Sequence, residues 1–446
     1  MIILGMSEGF HDAGLCLLEN DKIVFASHAE RHSGIKNDFK LHHTQFPRSE
    51  RYQPDVTAFY EKPFWKNTRR LYSRQGWDFR KFSIPYDVSY PHHKTHAAAG
   101  YYTAPFKDCN IVVIDAIGEW DTISVWDNLK KIKSWKYPYS LGLLYSAVTK
   151  RIGFVPNQDE YITMGMAAYG QPIFEYLLKD LLYTNCHKGI GNWHPLARKE
   201  DLASSVQRLY EKELEKIILE WCPKKNLILM GGCALNCVAN SFIKNKNIWI
   251  MPNPGDAGSS LGAAALCYGK KLQWVDPYLG YKLPRSNPKE IVQELLKNKI
   301  CGVASEKAEF GPRALGNRSL LADCRDDTIK DKVNKIKHRQ KFRPFAPAIL
   351  SEYADQYFSG PMNEYMQFVA YAKHDYQSVT HIDGTARVQL VKPSCKSVIR
   401  EVLEEWYDKT GVPMLLNTSL NLRGYPIVND EKDVALFIKE QSVNVL

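Results

Sequence analysis

The sequence lacks the segments that would place a chain in or across a membrane. No stretch reaches the roughly 18 uninterrupted apolar residues that predict a spanning helix. The start, MIILGMSEGFHDAG, has no basic segment before its short apolar run, whereas a secretory signal peptide has both. We therefore expect no membrane span and no signal peptide, and a cytoplasmic protein, in the host cytoplasm if the source is viral.

Closely paired cysteines are also missing. The ten cysteines include no C-x-x-C pair, and Cys233 and Cys237 stand too far apart in a glycine-rich loop for a standard zinc knuckle. This argues against the redox and zinc-binding classes that such pairs mark. Reduced thiols are expected, as in proteins of the cytoplasm.

The composition is that of a globular protein with a modest basic excess. Of the 446 residues, 44% are hydrophobic and 24% are charged, and 59 Lys and Arg against 49 Asp and Glu give a net charge of +10. A chain of this length predicts two or three domains. The charge suits ATP, another phosphate compound or a nucleic acid as partner, but an ordinary basic enzyme surface explains it equally well.

Two segments share one pattern of strands and turns. Residues 2–31 predict a strand, a polar turn and two further strands, and residues 111–127 predict a strand, a turn with glycine and acidic residues, and a second strand. The repetition indicates a duplicated unit. Paired turns of this kind can hold nucleotide phosphates from two sides.

Two glycine-rich segments follow in the same part of the chain. LILMGG (227–232) leads into CALNCVANSFI, and NPGDAGSSLGAA (253–264) leads into a helix of small residues. Backbone N–H groups at such turns and helix starts bind anions. For the second segment, a nucleotide or metal loop and a tight turn before a closely packed helix remain equal alternatives.

A domain boundary is predicted near residues 275–288, where periodicity is lost and prolines accumulate. It separates a first domain at 1–280 from a second at 285–446. The second domain is expected to be α/β, with a helix, a strand, the loop EFGPRALGNRS and a basic helix within IKDKVNKIKHRQKFRPFAP. Mostly strands are expected after that helix.

A pair of histidines is the first candidate for a metal site. His92 and His96 are four apart, so on a helix they face the same side, while His93 points away. Two imidazoles alone rarely hold a metal firmly. From spacing alone, a solvated or capping role is the alternative.

Eight short motifs, taken together, resemble one protein family. In order they are FHDAG, HHKTHA, VVIDAIGE, MGGCALN, NPGDAGSSLGAA, GPRALGNRS, FRPFAP and LLNTSLN. The chain resembles the O-carbamoyltransferases of the nodulation-factor and antibiotic type, which include phage members that act on hydroxymethylpyrimidines in DNA. The resemblance implies an actin-like (ASKHA, threonylcarbamoyl-transferase-like) first domain and a YrdC-like α/β second domain. It also implies that carbamoyl phosphate and ATP form carbamoyl-adenylate, whose carbamoyl group passes to a hydroxyl.

The same resemblance implies a divalent metal ion in the first domain. Its ligands would be His92, His96, Asp115 and Asp256, and the metal would be iron, with manganese or zinc as alternatives. Both aspartates stand where an apolar strand gives way to a glycine turn, which can expose a carboxylate at a cleft.

His11 matches the family's histidine beside the acceptor hydroxyl, where an imidazole can take the proton of the alcohol. Asp12 would orient that ring or cap the turn, and the sequence does not choose between these roles.

Phosphate-binding residues are also implied by position in the family pattern. The carbamoyl phosphate candidates are Arg313, Lys337, Arg387 and Arg423, with Arg318, Arg343, Asn417, Ser419 and Asn421 as weaker ones. The nucleotide candidates are Lys36, Glu160, Gly231, Gly232, Asn236 and Asn240. Two positions depart from the pattern: Ile162, where a lysine is usual, and Tyr425, where a glutamate is common.

The acceptor is predicted from residues 62–82, which interleave basic and aromatic side chains. Single-stranded nucleic acid binds to such surfaces through phosphates and stacked bases, so 5-hydroxymethylcytosine in DNA is the expected acceptor. The alternative is a helix whose aromatic residues pack on the core and whose basic residues reach solvent. A sugar or antibiotic-like alcohol is then the acceptor.

Two other functions are alternatives to carbamoyl transfer. A tRNA threonylcarbamoyl modifier usually has its two domains on separate chains, unlike the fused order here. A non-catalytic nucleotide sensor would bind ATP without releasing pyrophosphate.

Overall fold

The computed structural model describes residues 1–45, 53–79 and 81–446. It divides into two compact units. The first contains residues 1–33 and 37–275, and the second contains residues 34–36 and 276–446. Among the described residues, no helix has the length and apolar character required to cross a membrane.

The first unit begins with a five-stranded sheet. Its strands are β1 (Ile2–Ser7), β2 (Gly14–Glu19), β3 (Lys22–His28), β4 (Val56–Phe59) and β5 (Val88–Ser89). The order is β3-β2-β1-β4-β5, with β1, β2 and β3 antiparallel and β4 and β5 parallel to β1. The predicted turn between the first two strands is therefore the loop that carries His11.

The second sheet repeats this arrangement. Its strands are β6 (Asn110–Ile114), β7 (Asp121–Asp127), β8 (Lys130–Lys136), β9 (Asn226–Met230) and β10 (Asn247–Trp249). The order is β10-β9-β6-β7-β8, with the same pattern of directions. Two copies of this topology are the hallmark of the actin-like fold, so the predicted duplication and actin-like first domain are confirmed. The expectation of two strands at 111–127 missed β8, whose sequence KKIKSWK is too rich in lysine to look like a strand.

The helices of the first unit surround these two sheets. They are α1 (Glu30–Ser33), α2 (Pro63–Tyr72), α3 (His92–Thr103), α4 (Leu141–Arg151), α5 (Glu160–Met166), α6 (Glu175–Leu181), α7 (Lys199–Trp221), α8 (Cys237–Ser241) and α9 (Asp256–Tyr268).

Two of these helices bring the candidate metal ligands together. α3 packs on the second sheet, α9 packs on the first, and α3 and α9 contact each other. The contact is very close, since a Cβ at Gly262 of α9 would lie 1.9 Å from the carbonyl oxygen of Thr95 in α3. The small residues of α9 therefore let the middle of α9 pack closely against the first turn of α3.

The second unit has a central five-stranded sheet with helices on both faces. The strands of the whole unit, which include two smaller sheets, β11-β13 and β16-β17-β18, are β11 (Tyr278–Lys282), β12 (Ile300–Ala304), β13 (Lys307–Glu309), β14 (Arg318–Ala322), β15 (Ala346–Leu350), β16 (Phe358–Ser359), β17 (Ala370–Ala372), β18 (Thr385–Ala386), β19 (Gln389–Val391) and β20 (Met414–Ser419). The sheet order is β12-β14-β20-β15-β19. The helices are α10 (Pro288–Asn298), α11 (Ile329–Lys337), α12 (Ala354–Tyr357), α13 (Ile399–Thr410) and α14 (Glu431–Gln441).

α10 and α13 pack on one face of that sheet, and α11 and α14 pack on the other. The predicted α/β class is confirmed. Strands β15 to β19 follow the basic helix, as expected, and the expectation did not include the helices α12 and α13 before β20. α13 buries Ile399, Val402, Leu403 and Trp406, which have the spacing of a helix face.

Candidate functional site

Four side chains of the first unit converge on one point. His92 and His96 come from the first turns of α3, Asp115 directly follows β6, and Asp256 is the first residue of α9. One potential ligand atom from each lies within 4.8 Å of the others. His92 Nε2 is 2.9 Å from Asp115 Oδ2, and His96 Nε2 is 3.3 Å from Asp256 Oδ1. The structure thus brings together the four residues predicted as metal ligands.

Hydrogen bonds orient two of these side chains. His96 Nδ1 lies 3.0 Å from the carbonyl oxygen of Pro254, which can only accept, so this nitrogen carries the proton. Nε2 therefore faces the centre of the cluster, where a metal ion could replace its proton, as in a metal-ligating histidine. Asp115 Oδ1 accepts from the N–H of Ala116, which turns its other oxygen inward. His93 instead contacts Ser124 through Nδ1.

The side chains of the cluster shift one another's pKa values. Burial lowers the pKa of His96, but the carboxylates of Asp115 and Asp256 outweigh burial and raise the pKa to about 9. The pKa of His92 is raised for the same reasons. Burial raises the pKa of Asp115, yet hydrogen bonds with both histidines hold this pKa well below its usual range. Two buried carboxylates therefore require positive charge beside them.

The cluster fits a divalent cation. Asp256 Oδ1 is buried and has no hydrogen-bond partner among the described residues, although it lies 3.3 and 3.5 Å from two imidazole nitrogens. A buried carboxylate oxygen without a partner is costly, and a metal ion would satisfy it. Two imidazole nitrogens and two carboxylate oxygens suit Fe²⁺, Mn²⁺ or Zn²⁺.

His11 lies at the edge of this cluster. Its Nε2 is 3.9 Å from Asp256 Oδ2, and its Nδ1 is 2.9 Å from Asp12 Oδ2, so Asp12 holds the ring. A quarter of the His11 side chain is exposed. Burial lowers the pKa of His11, but Asp256 and Asp12 raise it to about 9. A cation between the carboxylates would cancel the part of this rise that Asp256 causes, and so favour the neutral ring.

The two predicted nucleotide glycines lie beside the same centre. Gly231 has φ of +87°, and its N–H donates to the carbonyl of Pro254 at 2.9 Å. A Cβ at Gly232 would lie 3.3 Å from Asp115 Oδ1. The turn after β9 therefore approaches Asp115 closely enough to place a ligand next to it.

The other nucleotide candidates have internal partners. Asn236 caps α8 through the N–H of Ala239 and exchanges hydrogen bonds with Gln207. Asn240 is buried and donates to a carbonyl. Glu160 accepts from Asn157 and Ser146. These side chains shape the fold around the glycine turn, and the segment containing Lys36 groups with the second unit.

In the second unit, the segments that carry the predicted cations are tied together. Asn417 of β20 donates to the carbonyl of Ala314 and to Gln389 Oε1, and Gln389 donates to the carbonyl of Leu315. This joins the loop of Arg313 to the strand that follows Arg387. Arg387 is half-buried, and its Nε has no hydrogen-bond partner within the part of the chain that the structure describes. Arg423 is exposed, and Arg343 is half-buried.

Lys337 binds the backbone at the end of β20. Its Nζ donates to the carbonyls of Ser419 and Asn421 and to the side-chain oxygen of Asn421, which also accepts from Ser419 Oγ. Burial holds the pKa of Lys337 well below its usual range. All three donors of an ammonium group are used here, so direct binding of carbamoyl phosphate would require them to be released.

Arg318 is fully buried and donates to backbone carbonyls. Its guanidinium contacts the oxygens of Ser305, Asn317, Tyr281, Glu306 and Asn429 at 2.7–3.4 Å. These contacts argue against the weaker prediction that Arg318 binds carbamoyl phosphate. They join four separate segments of the second unit around one side chain.

We expect Arg318→Met to lower the free energy of unfolding of the second unit by about 3 kcal/mol, because several buried carbonyls lose a charged donor. Urea unfolding measures it. Arg285→Met is the control, since Arg285 is exposed and pairs with Glu306 and Glu401 at the surface, so its loss should cost about 1 kcal/mol or less. Full stability of Arg318→Met with weakened carbamoyl phosphate binding would instead support the phosphate role.

The helix in segment 62–82, α2, does not match the alternative in which aromatic residues pack on the core and basic residues reach solvent. α2 buries Lys66, Asn67 and Arg69, whereas Phe64 and Trp65 are 60% and 55% exposed. The aromatic residues of the helix therefore face solvent, and its polar residues face the protein. Arg80, also in this segment, lies outside the described residues.

Four aromatic rings form one surface, which we call the aromatic patch: Phe64, Trp65, Trp77 and Phe79. Neighbouring ring centroids are 5.3–6.4 Å apart. Exposed apolar patches usually mark a binding surface. On the buried side of α2, Lys66 Nζ lies 5.5 Å from the ring of Phe10, which precedes His11.

The two departures from the family pattern occupy different environments. Ile162 is buried in α5, so this position is part of the core here. The side chain of Tyr425 is half exposed at the turn after Arg423.

Glu119 is a buried residue of the site that the sequence did not single out. Its carboxylate accepts from the backbone N–H groups of His92 and Lys62. The only signal in the sequence is a second acidic residue four positions after Asp115. Its partners are backbone atoms, which leave no residue pattern.

Two family models match most of the chain. The model described as Carbamoyltransferase N-terminus matches residues 49–192 and 184–265, and the one described as Carbamoyltransferase C-terminus matches residues 292–446.

Two similar proteins and one solved structure show what the chain resembles. An uncharacterised protein of Synechocystis is 30% identical over 97% of this chain and 93% of its own length. Nodulation protein NolNO of Sinorhizobium fredii is 28% identical over 95% of this chain and 76% of its own length. Among solved structures, component A of (R)-2-hydroxyglutaryl-CoA dehydratase from Acidaminococcus fermentans aligns with 60% of this chain and 98% of its own, at 12% identity and a TM-score of 0.41.

Proposed function

This chain belongs to the carbamoyltransferase family and is a carbamoyltransferase, and from this premise we propose that it forms carbamoyl-adenylate and passes the carbamoyl group to a hydroxyl. The observation that carries the proposal is the convergence of His92, His96, Asp115 and Asp256, with ligand atoms within 4.8 Å of one another, beside His11. The four residues form a candidate cation site, and His11 beside them is a potential proton acceptor.

The second domain forms the adenylate in this proposal. ATP loses pyrophosphate, carbamoyl phosphate loses phosphate with consumption of one water, and the carbamate oxygen becomes bonded to the α-phosphorus. The reactants bring many negative charges together, and guanidinium groups bind phosphate in a fixed geometry. Arg313, Arg387 and Arg423 are the cations assigned to carbamoyl phosphate, and Lys337 sets the end of β20 near them.

The first domain transfers the carbamoyl group. His92, His96, Asp115 and Asp256 would hold a divalent ion, for which we propose iron and which supplies Lewis acidity without proton transfer. The turn at Gly231 and Gly232 would hold the nucleotide of the adenylate beside them. The chain positions these groups through the close packing of α3 and α9.

His11 is the proposed general base of the transfer. Its Nε2 takes the proton as the acceptor oxygen bonds to the carbamoyl carbon, and AMP leaves. Asp12 holds the opposite nitrogen at 2.9 Å, which orients the ring and stabilises it once protonated. An alcohol is a weak nucleophile at neutral pH, so this proton transfer is central to the reaction.

The reaction is tested with ATP, labelled carbamoyl phosphate and candidate acceptors. Pyrophosphate release that depends on carbamoyl phosphate, followed by a labelled carbamate ester, is the expected result. ATP binding without such release would favour a nucleotide sensor. Label on tRNA adenosine alone would favour a threonylcarbamoyl-type modifier.

For the acceptor, we propose 5-hydroxymethylcytosine in single-stranded DNA. The aromatic patch supports it, since exposed rings can stack on bases, and the exposed Arg74 and Lys81 of the same segment can meet phosphates. A sugar or antibiotic-like alcohol is the alternative, because aromatic faces also hold sugars. A mass gain of one carbamoyl group on the modified DNA supports the proposal, and turnover of sugars or aminoglycosides alone contradicts it.

The aromatic patch gives a second measurement. We expect Trp65→Ala with Phe79→Ala to weaken binding of single-stranded DNA about tenfold or more, because each stacked base contributes roughly 1–3 kcal/mol. Fluorescence anisotropy with a labelled oligonucleotide measures it.

The control for the patch is Tyr176→Ala. Tyr176 is 81% exposed on α6 and is not part of the patch, so its loss should leave DNA binding unchanged. Equal effects of both replacements, or binding that does not weaken with rising salt, would count against the patch as a DNA surface.

A further inference from the structure

One carboxylate joins the starts of two helices in the first unit. Glu119 lies in the turn after β6 and is buried. The N–H of His92 donates to both of its oxygens, at 2.9 and 3.1 Å, and the N–H of Lys62 donates to one of them at 2.8 Å. Three short contacts from two distant segments therefore meet on one side chain.

Both donors belong to helix N-termini that lack a local cap. His92 is the first residue of α3, and the preceding Pro91 offers no side-chain cap. Lys62 stands at the cap position of α2, also without a side-chain cap. The first N–H groups of a helix are unpaired and carry partial positive charge, so a carboxylate stabilises them. Glu119 supplies this cap from a third segment.

The same turn also carries a metal-ligand candidate. Asp115 begins it and Glu119 ends it, so the turn holds His92 by its backbone and contacts the His92 ring through Asp115 at 2.9 Å. The turn packs directly on the imidazoles, because a Cβ at Gly118 would lie 3.0 Å from Cδ2 of both His92 and His93. Backbone and ring of His92 are thus fixed against one short segment.

α2 is attached to that turn along its length. Arg69 Nε donates to the carbonyl of Glu119 at 3.2 Å, and Trp120 Nε1 donates to Thr68 Oγ1 at 3.3 Å. Glu119 therefore contacts α2 near both of its ends and α3 at its start. Movement of the Glu119 carboxylate would release the starts of both helices.

We propose that Glu119 is a positioning residue that fixes His92 against Asp115 and so sets the affinity of the four-residue cluster for its metal ion. This inference rests on the proposed function, since it requires that the cluster binds a divalent cation. Groups that orient metal ligands typically change metal affinity 10- to 100-fold when replaced.

Co²⁺ titration of the full-length metal-free protein tests the proposal, since its visible absorption reports both affinity and coordination geometry. Glu119→Gln keeps one acceptor oxygen but loses the charge, and we expect at least about a tenfold loss of Co²⁺ affinity with an altered spectrum. Glu119→Asp keeps the charge on a shorter side chain and should recover part of the affinity. It also serves if the glutamine variant does not fold.

The matched control is Asp430→Asn. Asp430 caps α14 through the N–H groups of Lys432 and Asp433, so its replacement removes a carboxylate cap in the second unit. It should lower the thermal midpoint and leave Co²⁺ binding unchanged.

Failure of the positioning role and failure of the metal centre give different results. Wild-type affinity and spectrum in Glu119→Gln, with only a lower thermal midpoint, would overturn the positioning role and leave a helix cap. If the wild-type protein binds no Co²⁺, Mn²⁺ or Fe²⁺, the metal centre fails, and the role of Glu119 fails with it.

Discussion

Asp256→Asn is expected to lower carbamoyl transfer by about 10³-fold or more. The asparagine has nearly the same shape, but it removes a negative charge whose oxygen lies 3.3 Å from His96 Nε2 and 3.5 Å from His92 Nε2. Lewis acidity at a reacting group contributes several kcal/mol, and loss of the ion removes that contribution. Initial rates of carbamate ester formation, with metal content measured on the same sample, provide the test.

The pattern of losses matters as much as their size. Because the adenylate is assigned to the second domain, pyrophosphate release should persist in Asp256→Asn while transfer is lost. Asp201→Asn is the control: Asp201 is a buried aspartate of α7 that accepts from the N–H of Gln171 at 2.9 Å, outside the cluster. Equal loss of pyrophosphate release and of transfer in Asp256→Asn would contradict the division between the domains.

The four metal-ligand candidates were predicted from the family resemblance, and the local sequence around each of them is consistent with that assignment. The histidine spacing defines one helix face, and the two aspartates border glycine turns beside apolar strands. The sequence could not predict the close packing of α3 against α9. That contact depends on Gly262 meeting the backbone of Thr95, which is visible only in three dimensions.

Other features escaped prediction for identifiable physical reasons. β8 lies at the edge of its sheet, where lysines discourage further pairing and hide the strand pattern. α13 is a single long helix among short strands, and the helical spacing of its buried residues is the signal for it. Glu119, Lys337 and Arg318 contact mainly backbone oxygens or N–H groups, and such partners have no side-chain identity to recognise in a sequence.

The orientation of α2 is the reverse of an ordinary amphipathic helix. Lys66 is buried and pairs with Glu61 at 2.7 Å, while Trp65 next to it faces solvent. The sequence does separate two faces of α2, with Phe64, Trp65 and Tyr72 on one and Lys66, Asn67 and Arg69 on the other. An apolar helix face is ordinarily the buried one, so the sequence pattern predicts the wrong face at the surface. The buried side contacts Phe10 and Glu119, so the exposed aromatic patch and the candidate metal site share one helix as a common support.

His11→Ala is expected to lower carbamoyl transfer by about 10³-fold, within the usual range for loss of a general base. Two features distinguish it from Asp256→Asn. Metal binding should be retained, because His11 Nε2 stands 3.9 Å from Asp256 Oδ2 and outside the four-residue cluster. Pyrophosphate release should also be retained. Single-turnover transfer from preformed carbamoyl-adenylate measures the affected step.

Chemical rescue of His11→Ala and a control replacement of another histidine test whether His11 moves a proton. Added imidazole should restore part of the transfer by His11→Ala, since the shortened side chain leaves room at a partly exposed position. His42→Gln should leave transfer unchanged, although His42 Nε2 also contacts an aspartate, Asp38, at 2.8 Å. If His11→Ala instead lowers metal affinity as strongly as Asp256→Asn, His11 is an additional ligand. The acceptor proton must then pass to another group.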